Sequence, residues 1–351
     1  MITIASFFGN AKKHENWAKD EVRFQGDKKE TPKRKRSELL KDLLVHAKSK
    51  DLDSFYEDFA EYEHRYKRKA SLINMDLLHE LRDSYAPRAF EVGEVDMSKV
   101  EDLEYLLEGF LIRGENHQIF AGAGMGKTSL LAGMVKAGFH GVGFLNQVRH
   151  REKFRTLWIA CDGGSSRFKN VYEDMGLSPS MVDVWGGDIR QGLTNWKWTI
   201  PDIVLLIEDY LKREKYGLIV FDSVKGMLAN TGFQFTDNEH ADSICQFLRE
   251  IIAEPFGVAN VLINHLSTDK SAGSGAKRWG EAVAGNMEIK PVIDADGENH
   301  KLRKLCMWKN PIDGRSFIDY KIENGIFIPD RNTKMKGDCF NQMIELEKKR
   351  S

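Results

Sequence analysis

Few cysteines, no long apolar run and almost no net charge mark this sequence, and each absence excludes a class of protein. Its 351 residues include only four cysteines and no Cys-x-x-Cys pair, so we expect a reduced, intracellular chain without a structural zinc site. The longest apolar runs, such as residues 203–207, are too short to cross a bilayer, and the amino-terminal residues lack the apolar segment of a secretory signal. We therefore expect a cytoplasmic protein without a membrane partner.

Charge is abundant but balanced. Lys and Arg number 52 against 53 Asp and Glu, for a formal net charge of -1. No global field therefore attracts or repels nucleic acid. The sequence also lacks a helix-turn-helix, zinc-finger or RNP-type motif, so sequence-specific reading of nucleic acid is not expected. Any nucleic-acid contact must come from a local surface.

Residue patterning divides the chain into five segments. Residues 1–36 end in a basic run and predict a flexible, solvated segment, which alternatively contacts phosphate or acts as an address signal. Residues 37–86 carry apolar side chains at helical spacing and predict a small helical accessory module. After a linker at 87–104, short apolar strands alternate with amphipathic helices over 105–330, which is typical of an α/β fold with a parallel central sheet flanked by helices. Residues 331–351 are polar and predict a tail.

Within the α/β segment, individual strands and helices can be predicted. The strands are expected at 117–121, 156–161, 218–221 and 259–264, with shorter β segments at 302–308 and 316–320. The helices are expected at about 127–138, 165–175, 201–214 and 239–252.

A glycine-rich loop between the first of these strands and the first helix is the most specific motif. Residues 121–128 read Ala-Gly-Ala-Gly-Met-Gly-Lys-Thr. The glycines let consecutive backbone N–H groups turn toward an anion, and the helix amino terminus adds partial positive charge. Lys127 would reach the β- and γ-phosphates of ATP, and the Thr128 hydroxyl would coordinate Mg²⁺. The predicted nucleotide-binding residues are Gly122, Ala123, Gly124, Met125, Gly126, Lys127, Thr128 and Ser129.

A second motif is an apolar strand that ends in an acid. Residues 218–222 read Leu-Ile-Val-Phe-Asp. A carboxylate at the end of such a strand lies beside the Mg²⁺ held by the glycine-rich loop. We therefore predict Thr128 and Asp222 as the metal ligands.

The order of these motifs resembles the RecA-like ATPases, and within them the hexameric replicative helicases of plasmids, phages and bacteria. The resemblance covers about residues 105–328 and rests on the loop at 121–128, the strand that ends at Asp222, and Leu-Ile-Asn-His at 262–265. It implies a RecA-like P-loop NTPase core that uses ATP and Mg²⁺. It also implies a homo-hexameric ring, a phage- or plasmid-encoded origin, and a primase or initiator that docks on the helices of 37–86.

Two further site residues are implied by the resemblance. Asp162 follows the second strand, where the family has a glutamate that activates the attacking water, and Asp162 would act as this general base. The alternative is that Asp162 only begins a turn. His265 or Asn264, at the end of the next strand, would sense the γ-phosphate.

Ring motors of this kind complete each site with a cation from the neighbouring subunit. The stretch Trp-Lys-Asn-Pro at 308–311 resembles the hairpin that carries this cation, although Pro311 stands where the family has arginine. Lys309 and Arg315 are the remaining candidates.

Two loops are expected to face the central channel, since this is their place in RecA-like motors. They correspond to about 225–238 and 267–279, and the second is rich in glycine and basic residues. Basic groups that follow a phosphate backbone, with an aromatic ring for stacking, suit single-stranded DNA. The predicted nucleic-acid contacts are Lys225, Phe233, Lys270, Lys277 and Arg278.

Three functions fit these residues. The first is a ring-forming, ATP-hydrolysing motor that acts on single-stranded DNA as a helicase or translocase. The second is a nucleotide-switched binding protein, such as a helicase loader, recombination mediator or regulatory ATPase, which the missing arginine and the Glu-to-Asp change favour. A small-molecule kinase is less supported, because no lid with clustered arginines is evident.

Overall fold

A computed structural model describes most of the chain between residues 35 and 330. The described residues are 35–85, 98, 102–145, 153–161, 165–185, 198–229, 231–265, 277–294, 297–311, 316–323 and 326–330. Within these ranges, none of the helices has the length and apolar character needed to cross a membrane.

The helices of the described residues fall into an amino-terminal group of three and a group that alternates with the strands. They are α1 Arg36–Ser49, α2 Leu52–Tyr66, α3 Ala70–Tyr85, α4 Lys127–His140, α5 Ser165–Asp174, α6 Ile200–Leu205, α7 Val224–Leu228, α8 Asn238–Phe247, α9 Glu254–Phe256 and α10 Arg278–Glu281. Helix α6 continues in π-helical geometry over Leu206–Leu211, and α8 does so over Leu248–Ala253.

The strands form one small and one large sheet. They are β1 Tyr105–Leu107, β2 Leu111–Ile112, β3 Asn116–Ala121, β4 Arg155–Ala160, β5 Val182–Trp185, β6 Tyr216–Asp222, β7 Ala259–His265, β8 Gly285–Asp294, β9 Gly297–Lys309, β10 Ser316–Glu323 and β11 Ile326–Pro329. Strands β1 and β2 pair with each other, and the other nine make the large sheet.

The large sheet has the order β11-β10-β9-β8-β3-β7-β6-β4-β5. The six strands from β8 to β5 in this order run parallel, and β9, β10 and β11 continue the sheet as antiparallel neighbours. Strand β7 therefore lies between β3, which ends at the glycine-rich loop, and β6, which ends at Asp222. The predicted α/β fold with a parallel central sheet flanked by helices is confirmed.

The central strands are buried along most of their length because helices cover both faces of the sheet. Strand β3 is buried throughout, whereas β6 and β7 are buried up to their last residues, Asp222 and His265. The two polar residues are thus placed at the edge of the sheet where parallel strands end.

The two faces of the sheet carry different helices. Helices α4 and α5 cover one face, where Leu131 and Phe168 pack with strand residues such as Val220. Helices α6 and α8 cover the other face, together with the amino-terminal helices α1–α3. Each face therefore has its own apolar core.

The amino-terminal helices α1–α3 share an apolar core with the second face of the large sheet. Leu39 and Leu77 belong to the same buried cluster as Leu262 of β7. At the edge of this core, Lys50 forms an ion pair with Asp209 at 2.5 Å. The segment predicted as an accessory module is therefore packed against the sheet, and its apolar side chains complete the core of the larger segment.

Candidate functional site

The glycine-rich loop has the backbone conformation that an anion cradle needs. Gly124 and Gly126 have φ angles of +74° and +85°, in the left-handed region that favours glycine. No atom lies within 4 Å of the position that a Cβ would take at either residue. Gly126 is the N-cap of α4 and has no side chain to bond the first-turn N–H groups, which leaves these for a bound anion. The loop therefore fits the phosphates of a nucleotide.

Lys127 is held where the loop closes. Its side chain is buried, and Nζ donates hydrogen bonds to the carbonyl oxygens of Ala121, at 3.1 Å, and Gly122, at 3.2 Å. Burial lowers the pKa of Lys127, and the nearby negative charge of Asp222 opposes this shift. The ammonium group is thus directed into the concave side of the loop.

Asp222 is brought to the same edge by strand register. It is half-buried at the end of β6, and its carbonyl oxygen accepts a hydrogen bond of 2.5 Å from the N–H of Cys161. The chain turns at once into α7, because the Ser223 hydroxyl accepts from the N–H of Gly226 at 3.4 Å and caps that helix. The backbone of Asp222 is therefore held by the elements on both sides of it, and its charge acts on Lys127 of the loop.

His265 completes the group. Its register partner on β3 is Ala121, the last residue before the loop. Its Nδ1 lies 3.4 Å from Nζ of Lys127, and its N–H donates to Oδ1 of Asn264 at 2.8 Å. The sheet thus brings the loop lysine, the strand acid and the predicted sensor together, although they are far apart in sequence.

The side chains at this edge suit Mg²⁺ with ATP. Within the described residues there is no group of three or more His, Cys, Asp or Glu side chains that could hold a metal alone. Mg²⁺ is usually bound by one or two carboxylates together with substrate phosphates, not by a cage made only of protein. The Thr128 hydroxyl and the Asp222 carboxylate would supply the protein ligands, which fits the chemistry of these residues.

Three predicted site residues, Asp162, Lys270 and Arg315, lie outside the described residues. Asp162 lies two residues after Ala160, the last residue of β4, which pairs in register with Asp222 of β6. Its role as general base stays a prediction.

Lys309 lies at the opposite end of the parallel strands. It pairs in register with Asn286, which in turn pairs with Gln118 near the start of β3. Its Nζ donates to the carbonyl oxygen of Glu281 at 2.7 Å. Lys309 is therefore remote from the loop lysine of its own chain, and only a role toward a neighbouring subunit stays open for it.

The predicted nucleic-acid contacts differ in whether their charges are paired with carboxylates. Lys225 is exposed on α7. Lys277 pairs with Glu281 at 2.9 Å, and Arg278 pairs with Asp242 at 2.9 Å, so acidic neighbours offset both charges.

The ring of Phe233 is buried in this structure, and its predicted contact with DNA stays a prediction. Only 7% of the residue is exposed, and its ring packs edge-on against His240 with centroids 5.2 Å apart. The sequence signal was an aromatic residue in a polar loop, and this signal does not separate a ring that stacks on bases from one that anchors the loop. Phe233 anchors the loop.

Trp279 is a site residue that the sequence did not single out. It is 1% exposed, its ring stacks on Phe235 with centroids 5.9 Å apart, and its Nε1 donates to the Phe235 carbonyl at 2.9 Å. Trp279 of α10 therefore packs against the segment that precedes α8. A lone tryptophan at the end of a glycine-rich loop was the signal that could have found it.

Comparisons with known proteins identify one family. A protein-family model described as an AAA domain matches residues 82–271 of the chain. Among solved structures, the chain is similar to a KaiC-like protein from the hyperthermophilic archaeon Pyrococcus horikoshii, with 11% sequence identity and a TM-score of 0.47. That match covers 65% of this chain and 100% of the archaeal one. No curated protein sequence matches the chain.

Proposed function

We propose, from the premise that this chain belongs to the AAA domain family, that it is a ring-forming, ATP-hydrolysing motor that acts on single-stranded DNA. Its catalytic domain would be a RecA-like P-loop ATPase core. Its role would be that of a replicative helicase of phage or plasmid type. One observation carries the proposal, namely the 3.4 Å contact between Lys127 and His265. It links the phosphate-binding loop to the strand from which a predicted DNA loop departs.

The nucleotide-binding roles follow from the positions of the side chains. Lys127 binds the β- and γ-phosphates, while the N–H groups of the loop surround them. The Thr128 hydroxyl and the Asp222 carboxylate would hold Mg²⁺. When bound with ATP, Mg²⁺ neutralises charge on the phosphate oxygens. Asp162 would accept the proton of the attacking water.

Completion of the site would require a second subunit. In ring motors a cation from the neighbour stabilises the transition state, and its contribution is about 10³ to 10⁵ in rate. Lys309 is exposed and remote from its own loop, which suits a residue that serves a neighbour. Lys309 and Arg315 are the candidates, and a hexamer is the proposed assembly.

Coupling to DNA would start at His265. A change in its contact with Lys127 would alter the end of β7, and Trp279 lies in α10, the next described helix along the chain. Because Trp279 is stacked on Phe235, the segment before α8 moves with it. Lys225, Lys270, Lys277 and Arg278 would then follow the phosphate backbone of a single strand.

A second function, a nucleotide-switched binding protein, is favoured by the charges near α10. Lys277 and Arg278 are paired with carboxylates, and the aromatic ring of Phe233 is buried. Both observations reduce the surface that a single strand would use. A loader or regulatory ATPase needs the nucleotide site and the loop coupling but no DNA track.

ATPase and strand-displacement assays separate the two functions. We expect hydrolysis to rise severalfold when single-stranded DNA is added, and an annealed strand to be displaced in the presence of ATP. Lys127→Ala should abolish ATP hydrolysis under either function, so this variant is the negative control. Hydrolysis that does not respond to single-stranded DNA, but responds to a protein partner, would replace the motor with the switch.

Particle mass tests the ring. With a non-hydrolysable ATP analogue and an oligonucleotide, we expect a hexamer that retains the oligonucleotide. A monomer under all of these conditions contradicts the ring. If Lys309→Ala and Arg315→Ala both leave hydrolysis intact in the assembled ring, the inter-subunit roles of these residues are wrong.

A further inference from the structure

A basic cleft lies at the edge of the sheet opposite the nucleotide loop. Its volume is about 260 Å³, and the basic residue types that line it are Arg113, His140, Lys153, Arg155 and Lys215. The other lining residues are aromatic or glycine, and none of the described residues that line the cleft is acidic. This combination is not explained by the nucleotide site, since none of these residues belongs to it.

The side chain of Phe154 forms the floor of the cleft and is tightly packed. The Phe154 ring is 7% exposed and lies between α4 and β6. A Cβ at Gly138 of α4 or at Gly217 of β6 would overlap this ring, so glycine at both positions makes room for it. The walls above Phe154 therefore have a defined spacing.

Two of the cations are already engaged with protein groups. Arg155 pairs with Asp183 at 2.8 Å and with Glu214 at 3.2 Å, and it also lies over the Tyr216 ring. Arg113 donates to a backbone carbonyl oxygen. These bonds orient the two guanidinium groups at the cleft wall.

The two lysines are in a different position. Lys153 and Lys215 are exposed, and among the described residues no carboxylate forms an ion pair with either. They approach the cleft from separate segments, one before β4 and one before β6. Their ammonium groups are the charges that a ligand can use.

The helix that ends at the cleft does not account for this charge. The carboxyl terminus of α4 carries partial negative charge, and a basic group in its last turn, here His140, is the usual complement. The remaining four cations come from three other segments of the chain, so their convergence is a property of the tertiary fold.

We propose that this cleft is a second anion site, which binds a phosphate group between Lys153 and Lys215. Ligand pockets for drug-sized molecules have volumes of about 300–1,000 Å³, so a cleft of about 260 Å³ suits a phosphate or diphosphate group and not a whole dinucleotide. The phosphate belongs either to a small free anion or to a nucleic-acid strand whose backbone crosses the cleft. Guanidinium and ammonium groups are the usual protein partners of phosphate.

The cleft is connected to the nucleotide site by rigid elements. Strand β6 runs from Tyr216 at the cleft to Asp222, a length of roughly 20 Å at about 3.3 Å per residue. Helix α4 runs from Lys127 to His140 over a similar length. A phosphate in the cleft is therefore not the nucleotide of the glycine-rich loop, but it contacts the elements that carry that loop.

Amine footprinting of the full chain tests the site directly. Lysines are acetylated with a water-soluble ester, with and without probe, and the reaction at each lysine is read by mass spectrometry. The probes are sodium pyrophosphate and an oligothymidylate. We expect Lys153 and Lys215 to react severalfold more slowly with probe, while Lys169, whose side chain is 69% exposed on α5, stays unchanged.

The Lys127→Ala variant separates this site from the nucleotide loop, because protection of the two cleft lysines should persist in it. Protection by pyrophosphate identifies a free anion as the ligand, and protection by oligothymidylate alone identifies a strand. In the strand case, the double variant Lys153→Ala/Lys215→Ala should lower the salt dependence of log Kd by about 1.4, since each single-strand phosphate contact contributes about 0.7. Lys41→Ala/Lys169→Ala is the matched control.

The proposal is overturned if neither probe protects both lysines. Equal protection of Lys169 overturns it as well, because the effect is then general to exposed lysines. Protection that disappears in Lys127→Ala has the same consequence, since the ligand then acts through the glycine-rich loop.

Discussion

Asn74 of α3 donates a hydrogen bond from Nδ2 to the carbonyl oxygen of Thr231, at 2.8 Å, in a buried contact between positions 157 residues apart. The next residue, Gly232, has a φ of +81°, and a Cβ there would lie 2.7 Å from the backbone nitrogen of Ser71. The amino-terminal helices therefore touch the loop that follows the Asp222 strand at close range. Because that loop leads to Phe235, whose ring stacks on Trp279, the helices contact the same structure that the proposed motor would move.

Asn74→Ala should destabilise the protein. The change leaves the buried carbonyl oxygen of Thr231 without its donor, and an unsatisfied buried polar group costs about 1–3 kcal/mol. Chemical denaturation measures the loss in free energy of unfolding. Glu80→Ala, an exposed change on the same helix, should leave it unaltered. Equal stability of the Asn74 variant and the control contradicts the structural role given to this contact.

Trp279→Phe should uncouple DNA binding from hydrolysis. The ring still fills most of the buried space, but the bond from Nε1 to the Phe235 carbonyl oxygen is lost. We expect basal ATPase activity to persist while its stimulation by single-stranded DNA falls severalfold. Trp198→Phe is the matched control, because Trp198 is equally buried and its ring packs against Phe247 of α8. The same loss of stimulation in both variants would mean that general destabilisation is the cause.

Phe233→Leu should leave DNA binding unchanged. The buried ring packs in the core, so an apolar replacement of similar size costs about 1 kcal/mol of stability. A ring stacked on a base would instead contribute about 1–3 kcal/mol to binding. Fluorescence anisotropy with a labelled oligonucleotide distinguishes the two outcomes. Lys225→Ala, at an exposed predicted contact, should weaken binding in the same assay.

Stability should fall in mild acid because of His117. Complete burial lowers its pKa from 6.5 to about 4, and its Nε2 accepts a hydrogen bond of 2.9 Å from the N–H of Ile112. Below pH 6.5 the unfolded chain binds a proton that the folded chain does not, so the free energy of unfolding decreases as the pH falls toward 4. At pH 5 this single group accounts for about 2 kcal/mol.

His117→Gln tests this pH dependence. Glutamine retains a side-chain acceptor but does not titrate, so the variant should lose less stability than the wild type between pH 7.5 and pH 5. Denaturant midpoints at the two pH values measure the difference. His79→Gln, at an exposed histidine of α3, should behave like the wild type. A pH dependence unchanged by His117→Gln would assign the acid effect to other groups.

Sequence alone predicted the elements that carry the nucleotide site. The strand before the glycine-rich loop, the helix that begins at Lys127 and the strands that end at Asp222 and His265 all lie within two or three residues of their predicted bounds. They were predictable because their signals are local. A strand covered on both faces carries a run of apolar residues, and a loop that surrounds an anion needs glycine.

Short elements were harder to predict for the same reason. Strand β5, with four residues at the edge of the sheet, and the short helices α7 and α10 carry too few residues for a periodic pattern. Their existence depends on contacts, such as the Ser223 cap of α7, that only the folded chain provides.

The sequence by itself determined that a P-loop and a strand acid belong to one chain, because each motif is contiguous and its chemistry is local. Tertiary structure alone decided what surrounds them. Phe233 became a core residue and Trp279 an anchor because burial depends on which distant segments meet. The same holds for the basic cleft, whose cations at 113, 140, 153, 155 and 215 form no sequence motif and converge only because parallel strands begin at a common edge.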